Sequence, residues 1–195
     1  MNIESISFIR KLRQENEMHN SWSPLMLAVF FKNIEQIQTS ISEGVDVNER
    51  GRRKVTPLHE AAVNTCMSFL GVKGGSCLDA CTLLIGNGAE LDAQDEDGLT
   101  PLMYATLDGQ QEVAELLIRD GAHLNKIDGE GGTTLHYAAK YGQKEILELL
   151  IANDAELNIR DYFGQTPLDD VGDYREIISL LVKSGCKKAT QLDSV

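Results

Sequence analysis

Four histidines and four cysteines are the residues of this chain best suited to chemistry. His59 and His136 stand in matching contexts, T-P-L-H-E-A-A and T-T-L-H-Y-A-A, while His19 and His123 are isolated near turn signals. Cys66, Cys77, Cys81 and Cys186 are 11, 4 and 105 positions apart. That spacing fits no zinc pattern, so free thiols are expected, with Cys81 a small core residue. A Cys66–Cys77 disulfide or a metal site is the alternative. Asp92, Asp95, Glu96 and Asp97 form an acidic run without the D-x-D-x-D-G order of a calcium loop, and it reads as a solvated hairpin tip. Gly74-Gly75 lacks the G-x-x-x-x-G-K-S/T pattern that cradles phosphate. An enzyme needs convergent groups, such as a nucleophile with its base, and no such motif occurs. The expectation is a chain with no catalytic residues, no metal and no cofactor.

The elements that carry these residues repeat. From Thr133 to Asp161 the chain reads T-T-L-H-Y-A-A-K-Y-G-Q-K-E-I-L-E-L-L-I-A-N-D-A-E-L-N-I-R-D. Thr133 is a good N-cap for a short helix, and Gly142 breaks it. Ile146, Leu147, Leu149, Leu150 and Ile151 then give a second helix with a wide apolar stripe. Two short helices and a turn cannot bury that stripe alone, so the unit needs neighbours. The opening recurs as S-P-L-M-L-A at Ser23, T-P-L-H-E-A at Thr56, T-P-L-M-Y-A at Thr100 and T-P-L at Thr166. Successive spacings are 33, 44, 33 and 33, a fixed period with one insertion of 11 residues. With the trailing L-L-I-G-N-G-A-E-L-D of Leu83 to Asp92, the chain resembles ankyrin-repeat proteins over about residues 18–188.

The resemblance implies an all-α solenoid of about five helix-turn-helix units with hairpin-like turns. The units fall near 18–50, 51–94, 95–127, 128–160 and 161–188, with the insertion at 66–76. Ahead of them, Ile3, Ile6, Ile9 and Leu12 recur at helical spacing, so residues 1–17 read as an N-terminal capping helix. The insertion, rich in glycine, reads as a surface loop, with the preceding helix extended toward Phe69 as one possibility. In repeat four Asp154 holds the helix-stop place of glycine, a small destabilisation, and Thr134 replaces the usual proline. Repeat five, shortened and without the A-A pair, reads as a C-terminal capping repeat, and 189–195 as a frayed tail. The family also implies that His59 and His136 are structural, tying one unit to its neighbour by hydrogen bonds.

What remains for function is surface. The formal net charge of −12 argues against nucleic acid and anionic membranes, and favours basic partners. No apolar run approaches the ~18 residues of a membrane span, and Met1–Arg10 shows no secretory pattern, so a cytoplasmic chain is expected. Relatives of this kind usually grip partners with turn tips, the exposed side of first helices, and residues after the A-A pair. Trp22, Tyr162 and Phe163 map to turns, Tyr104 and Tyr137 to the first-helix side, and Phe30, Phe31 and Tyr141 to the third set. Asp95, Glu96, Asp97 and Glu130, with Asp128, Asp161 and Asp170, lie between them. The expected function is non-catalytic binding of a protein with a basic surface through this aromatic, acidic concave face, by a chain that is a monomer when unbound. An inhibitor or immunity-type protein fits, as does an adaptor or a translocated effector; the competing class is an enzyme using the insertion loop. Tyr137, Tyr141 and Phe163 are the expected anchors, replaceable by alanine without loss of the fold.

Overall fold

The computed structural model describes residues 22–64 and 75–192. The capping helix expected over 1–17 lies outside them, as does the 66–76 insertion apart from Gly75 and Ser76.

Each repeat opens with a short helix whose start is set by the residue before it. These are α1 (Pro24–Phe30), α3 (Pro57–Ala61), α5 (Pro101–Leu107), α7 (Thr134–Lys140) and α9 (Pro167–Asp170). Ser23, Thr56, Thr100, Thr133 and Thr166 are the N-caps. Their hydroxyls occupy the place where the first helical N–H groups need an acceptor. The Met26 N–H, for example, donates to Ser23 Oγ at 3.0 Å. In every first helix but α7 proline follows the cap, a position where its missing N–H costs nothing. The second helices are α2 (Ile34–Ser42), α4 (Cys77–Gly86), α6 (Gln111–Arg119), α8 (Lys144–Ala152) and α10 (Arg175–Lys183). Their stops need a left-handed residue, supplied by Gly44, Gly88, Gly121 and Gly185; in repeat four Asp154 adopts it at φ 61°.

The first helix of repeat two does not extend toward Phe69. It ends at Ala61, and the Val63 carbonyl accepts the Cys77 S–H at 3.4 Å. Helix α4 begins with a reciprocal cap in which Ser76 Oγ accepts the Asp79 N–H and Asp79 Oδ2 accepts the Ser76 N–H, both at 3.0 Å. Among the described residues no segment is a β-strand. The turns between repeats are closed by paired backbone bonds, such as Asp128 N–H to Gly132 O at 3.0 Å and Gly131 N–H to Asp128 O at 3.1 Å.

The chain divides into two compact units, Met1–Ala89 and Glu90–Val195. In the first, α1 packs on α2 and α3, and α4 packs on α2 and α3. Leu25, Met26, Ile37, Leu58 and Leu84 are the largest of its fully buried side chains. In the second, α7 is central: α5, α8 and α9 all pack on it, α6 packs on α5 and α8, and α10 on α9. Ala105, Ala138 and Ala139 are wholly buried, which lets these helices approach closely around Leu102, Leu117, Leu135, Ile146, Leu147 and Leu150. Each such aliphatic side chain contributes about 1.5–3 kcal/mol by burial.

Of the tail read as frayed, residues 189–192 instead form a helical turn, α11 (Ala189–Leu192). Asp169 Oδ2 accepts the Ala189 N–H at 2.8 Å, and Gln191 Oε1 accepts the Lys188 N–H at 2.9 Å. Asp169, twenty positions earlier, and the nearby Gln191 supply the acceptors that hold this turn.

Candidate functional site

The two histidines set apart by their motif are buried caps. The Thr56 N–H donates to His59 Nδ1 at 3.2 Å, and the Thr133 N–H to His136 Nδ1 at 3.1 Å. An N–H can only donate, so Nδ1 accepts and the ring proton sits on Nε2. In His136 that Nε2 faces Gln165 O at 3.3 Å, joining repeat four to the turn of repeat five. The expected unit-linking role is seen at His136, while the His59 bond to Thr56 caps its own helix. Met103 and Asp169 take the same capping place in repeats three and five.

Within Glu90–Val195 the turn tips share one device. Asp95 Oδ1 accepts the N–H groups of Asp97 and Leu99, each at 2.9 Å, and its Oδ2 accepts the Tyr104 hydroxyl at 2.8 Å. Asp128 repeats this with Glu130 N–H (2.8 Å), Gly132 N–H (2.9 Å) and the Tyr137 hydroxyl. Asp161 accepts Phe163 N–H at 3.0 Å and Gln165 N–H at 2.7 Å; nine positions on, where a tyrosine would stand, the chain has Asp170. Neighbouring tips are also tied together, Gly129 N–H to Asp97 O at 2.7 Å and Tyr162 N–H to Glu130 O at 2.8 Å.

This corrects part of the surface expectation. Asp95 and Asp128 are buried acceptors that hold the tips, rather than charges presented to a partner. Tyr104 and Tyr137 are half-buried, their hydroxyls committed to those aspartates. Burial, then the Asp128 hydrogen bond, pushes the Tyr137 phenol far above its ordinary range. Tyr137 is therefore no inert anchor, and replacing it by alanine reaches the turn. The periodicity hid this because aspartate and tyrosine are apart in sequence and meet only once the turn has closed.

Other expected residues do lie outward. Tyr162 and Phe163, at the tip held by Asp161, are 70% and 72% exposed. Tyr141 is 46% exposed and stacks on Tyr137, ring centroids 6.4 Å apart and planes within 8°. Lys140 Nζ lies 5.9 Å from the Tyr141 centroid, within cation–π range. Glu96, Asp97 and Glu130 are exposed, while Asp161 and Asp170 are half-exposed. The sequence reading missed Tyr174: it caps α10, is 47% exposed, and lies close over Gly142, the residue after Tyr141. A cap-position tyrosine in the shortened repeat was the available signal.

In Met1–Ala89 the expected aromatics form their own cluster. Trp22 meets Phe30 edge-on at 5.2 Å, and Phe30 meets Phe31 the same way at 5.2 Å; all three are half-buried. The tip of repeat two, in contrast, is basic. Arg52, Arg53 and Lys54 form an exposed 3-10 turn, with Arg53 and Lys54 both at φ 57°. The run E-R-G-R-R-K carries this charge within a chain that is acidic overall.

The thiols of the described residues are enclosed by the fold. Cys77, Cys81 and Cys186 are buried. Burial pushes the Cys81 thiol up to about 12 and the Cys186 thiol up to about 11, away from the reactive thiolate. Among the described residues no group of three or more histidine, cysteine, aspartate and glutamate side chains is placed to hold a metal ion. Among them, too, no helix is long and apolar enough to cross a membrane. A family model described as "Ankyrin repeats (3 copies)" matches residues 68–161 and, overlapping them, 130–191.

Proposed function

The chain belongs to the ankyrin-repeat family, and from that premise we propose that it binds a protein with a basic surface, through exposed residues of Glu90–Val195. Ankyrin repeats are generally protein–protein interaction modules, and the family is typically non-catalytic. The observation that carries the finer reading is the tip of repeat five. Two adjacent aromatic side chains, Tyr162 and Phe163, stand more than two-thirds exposed on a turn held by Asp161. Large apolar rings on a firmly held backbone lose little entropy on contact, which suits them as anchors. Tyr141 and Tyr174 add ring surface, and Glu96, Asp97 and Glu130 add negative charge. A net charge of −12 speeds encounter with a cationic partner and weighs against nucleic acid or an anionic membrane. The action we infer is blocking, as in an inhibitor or immunity-type protein, because the anchors and charges form a gripping surface without chemistry beside it.

The test is capture from native lysate with wild type and with the triple variant Tyr141→Ala, Tyr162→Ala, Phe163→Ala, followed by mass identification. Tyr137 is left in place so that Asp128 keeps its partner. The expected result is a basic protein held by wild type and lost from the variant, with both chains showing the same helical circular dichroism. Equal retention by both would overturn the assignment of this face.

A further inference from the structure

The second unit has another apolar surface, far from the tips in chemistry. The second helices of repeats three, four and five align position by position: Ala114 with Leu147 and Ile178, and Ile118 with Ile151 and Val182. Ala114 and Leu147 are fully buried, whereas Ile178 is 39% exposed. Ile118 and Ile151 are half-buried, whereas Val182 is 56% exposed. Repeat five thus leaves more exposed the apolar residues whose counterparts in repeats three and four are buried or half-buried. Together with Leu168 and Cys186 they floor a groove of about 430 Å³.

The rim of this groove has the opposite charge from the chain as a whole. Residues 175–192 carry four basic side chains and one acidic, in a chain of net charge −12. Lys187 and Lys188 line the groove directly, and Lys183 ends α10 beside Val182. Arg160 adds a further cation, its guanidinium donating to Ala189 O at 2.9 Å. Asp169, close to Lys188, is the facing carboxylate, already engaged by the Thr166 and Ala189 N–H groups.

We propose that this groove is a second protein-docking site, and that its occupant is an acidic amphipathic helix of another protein. An apolar floor asks for leucine-like side chains at helical spacing, and the lysine rim asks for carboxylates flanking them. A symmetric pairing of two copies would set Lys183, Lys187 and Lys188 against like charges, which opposes it. The site accepts the reverse charge from the Tyr162–Phe163 tip, so one chain can bridge two unlike partners. The inference stands independently of the basic-partner reading above.

The probe is a fluorescein-labelled synthetic helix with leucines at i, i+3, i+4 and i+7 and glutamates at the flanking positions, with a lysine-flanked twin as control. Fluorescence anisotropy on the full chain should show the glutamate peptide binding, weakening with salt, and the lysine peptide at least about tenfold weaker. Val182→Glu should abolish binding. Lys187→Glu with Lys188→Glu, which leaves the apolar floor intact, should invert the preference between the two peptides. Equal binding of both peptides, no binding of either, or indifference to the lysine reversal would overturn the proposal. So would concentration-dependent self-association in sedimentation that Val182→Glu removes, since the occupant would then be a second copy.

Discussion

Asp128→Ala tests the idea that aspartates hold the tips instead of facing a partner. Asp128 is buried and accepts three hydrogen bonds, from the Glu130 and Gly132 N–H groups and the Tyr137 hydroxyl. Hydrogen bonds to a charged group contribute about 1.5–3 kcal/mol each, but the three do not add, because part-buried donors recover water once the carboxylate is gone. Gly132 N–H is the donor in fully buried surroundings, and its loss alone costs about 1–3 kcal/mol. A net destabilisation of about 2–4 kcal/mol follows. Asp128→Asn keeps one acceptor oxygen, and about 1 kcal/mol is expected. The series has an internal scale: Asp95→Ala, which also frees a tyrosine, should match Asp128→Ala, and Asp161→Ala, with two N–H donors and no tyrosine among its bonds here, should cost less. Urea unfolding followed by circular dichroism gives the ordering, and amide exchange at Gly132 places the loss. Since repeat arrays can unfold in parts, the exchange data decide which segment opened. Alanine and asparagine variants equal to each other, or all variants within about 0.5 kcal/mol of wild type, would refute the reasoning.

Three further outcomes are expected. Thr134→Pro should stabilise by about 1 kcal/mol in thermal or urea unfolding, because Thr134 Oγ1 is buried without a hydrogen-bond partner and proline starts four of the five first helices; a loss of stability would mean the hydroxyl is used. Cys77, Cys81 and Cys186 should resist iodoacetamide in native buffer at pH 8 and react on unfolding, read by peptide mass mapping; native labelling of Cys81 would contradict its burial and its thiol value of about 12. Burial raises the Asp169 carboxyl, but hydrogen bonds from Ala189 and Thr166 outweigh it and leave it below the ordinary 3.8; its contribution is therefore complete above 3.8 and is lost as pH falls below that value. An NMR titration following the Ala189 amide should show this loss, and a midpoint at or above 3.8 would contradict it.

Repeat period, caps and helix stops were legible in the residues themselves. Threonine before proline starts a helix for a local reason, and glycine at a left-handed position ends one for a local reason, so Thr100-Pro101 and Gly121 needed no neighbour to be read. The stripe of Ile146, Leu147 and Leu150 had to be buried, and helical spacing alone said which side. Asp154 in the left-handed region was likewise readable from its alignment with glycine.

The division of the surface was decided only by the tertiary structure. Asp95, Glu96 and Asp97 look alike in sequence, yet the first is a buried acceptor and the others face solvent. Tyr137 and Tyr162 look alike too, but one hydroxyl is held by a carboxylate nine positions away and the other ring stands on a tip. Ile178 matches the buried Leu147 residue for residue and is nonetheless exposed. Composition and period reflect interactions within one or two turns of chain. Whether a side chain is consumed by the fold or left for a partner depends on what the rest of the chain brings against it, and that is set by packing.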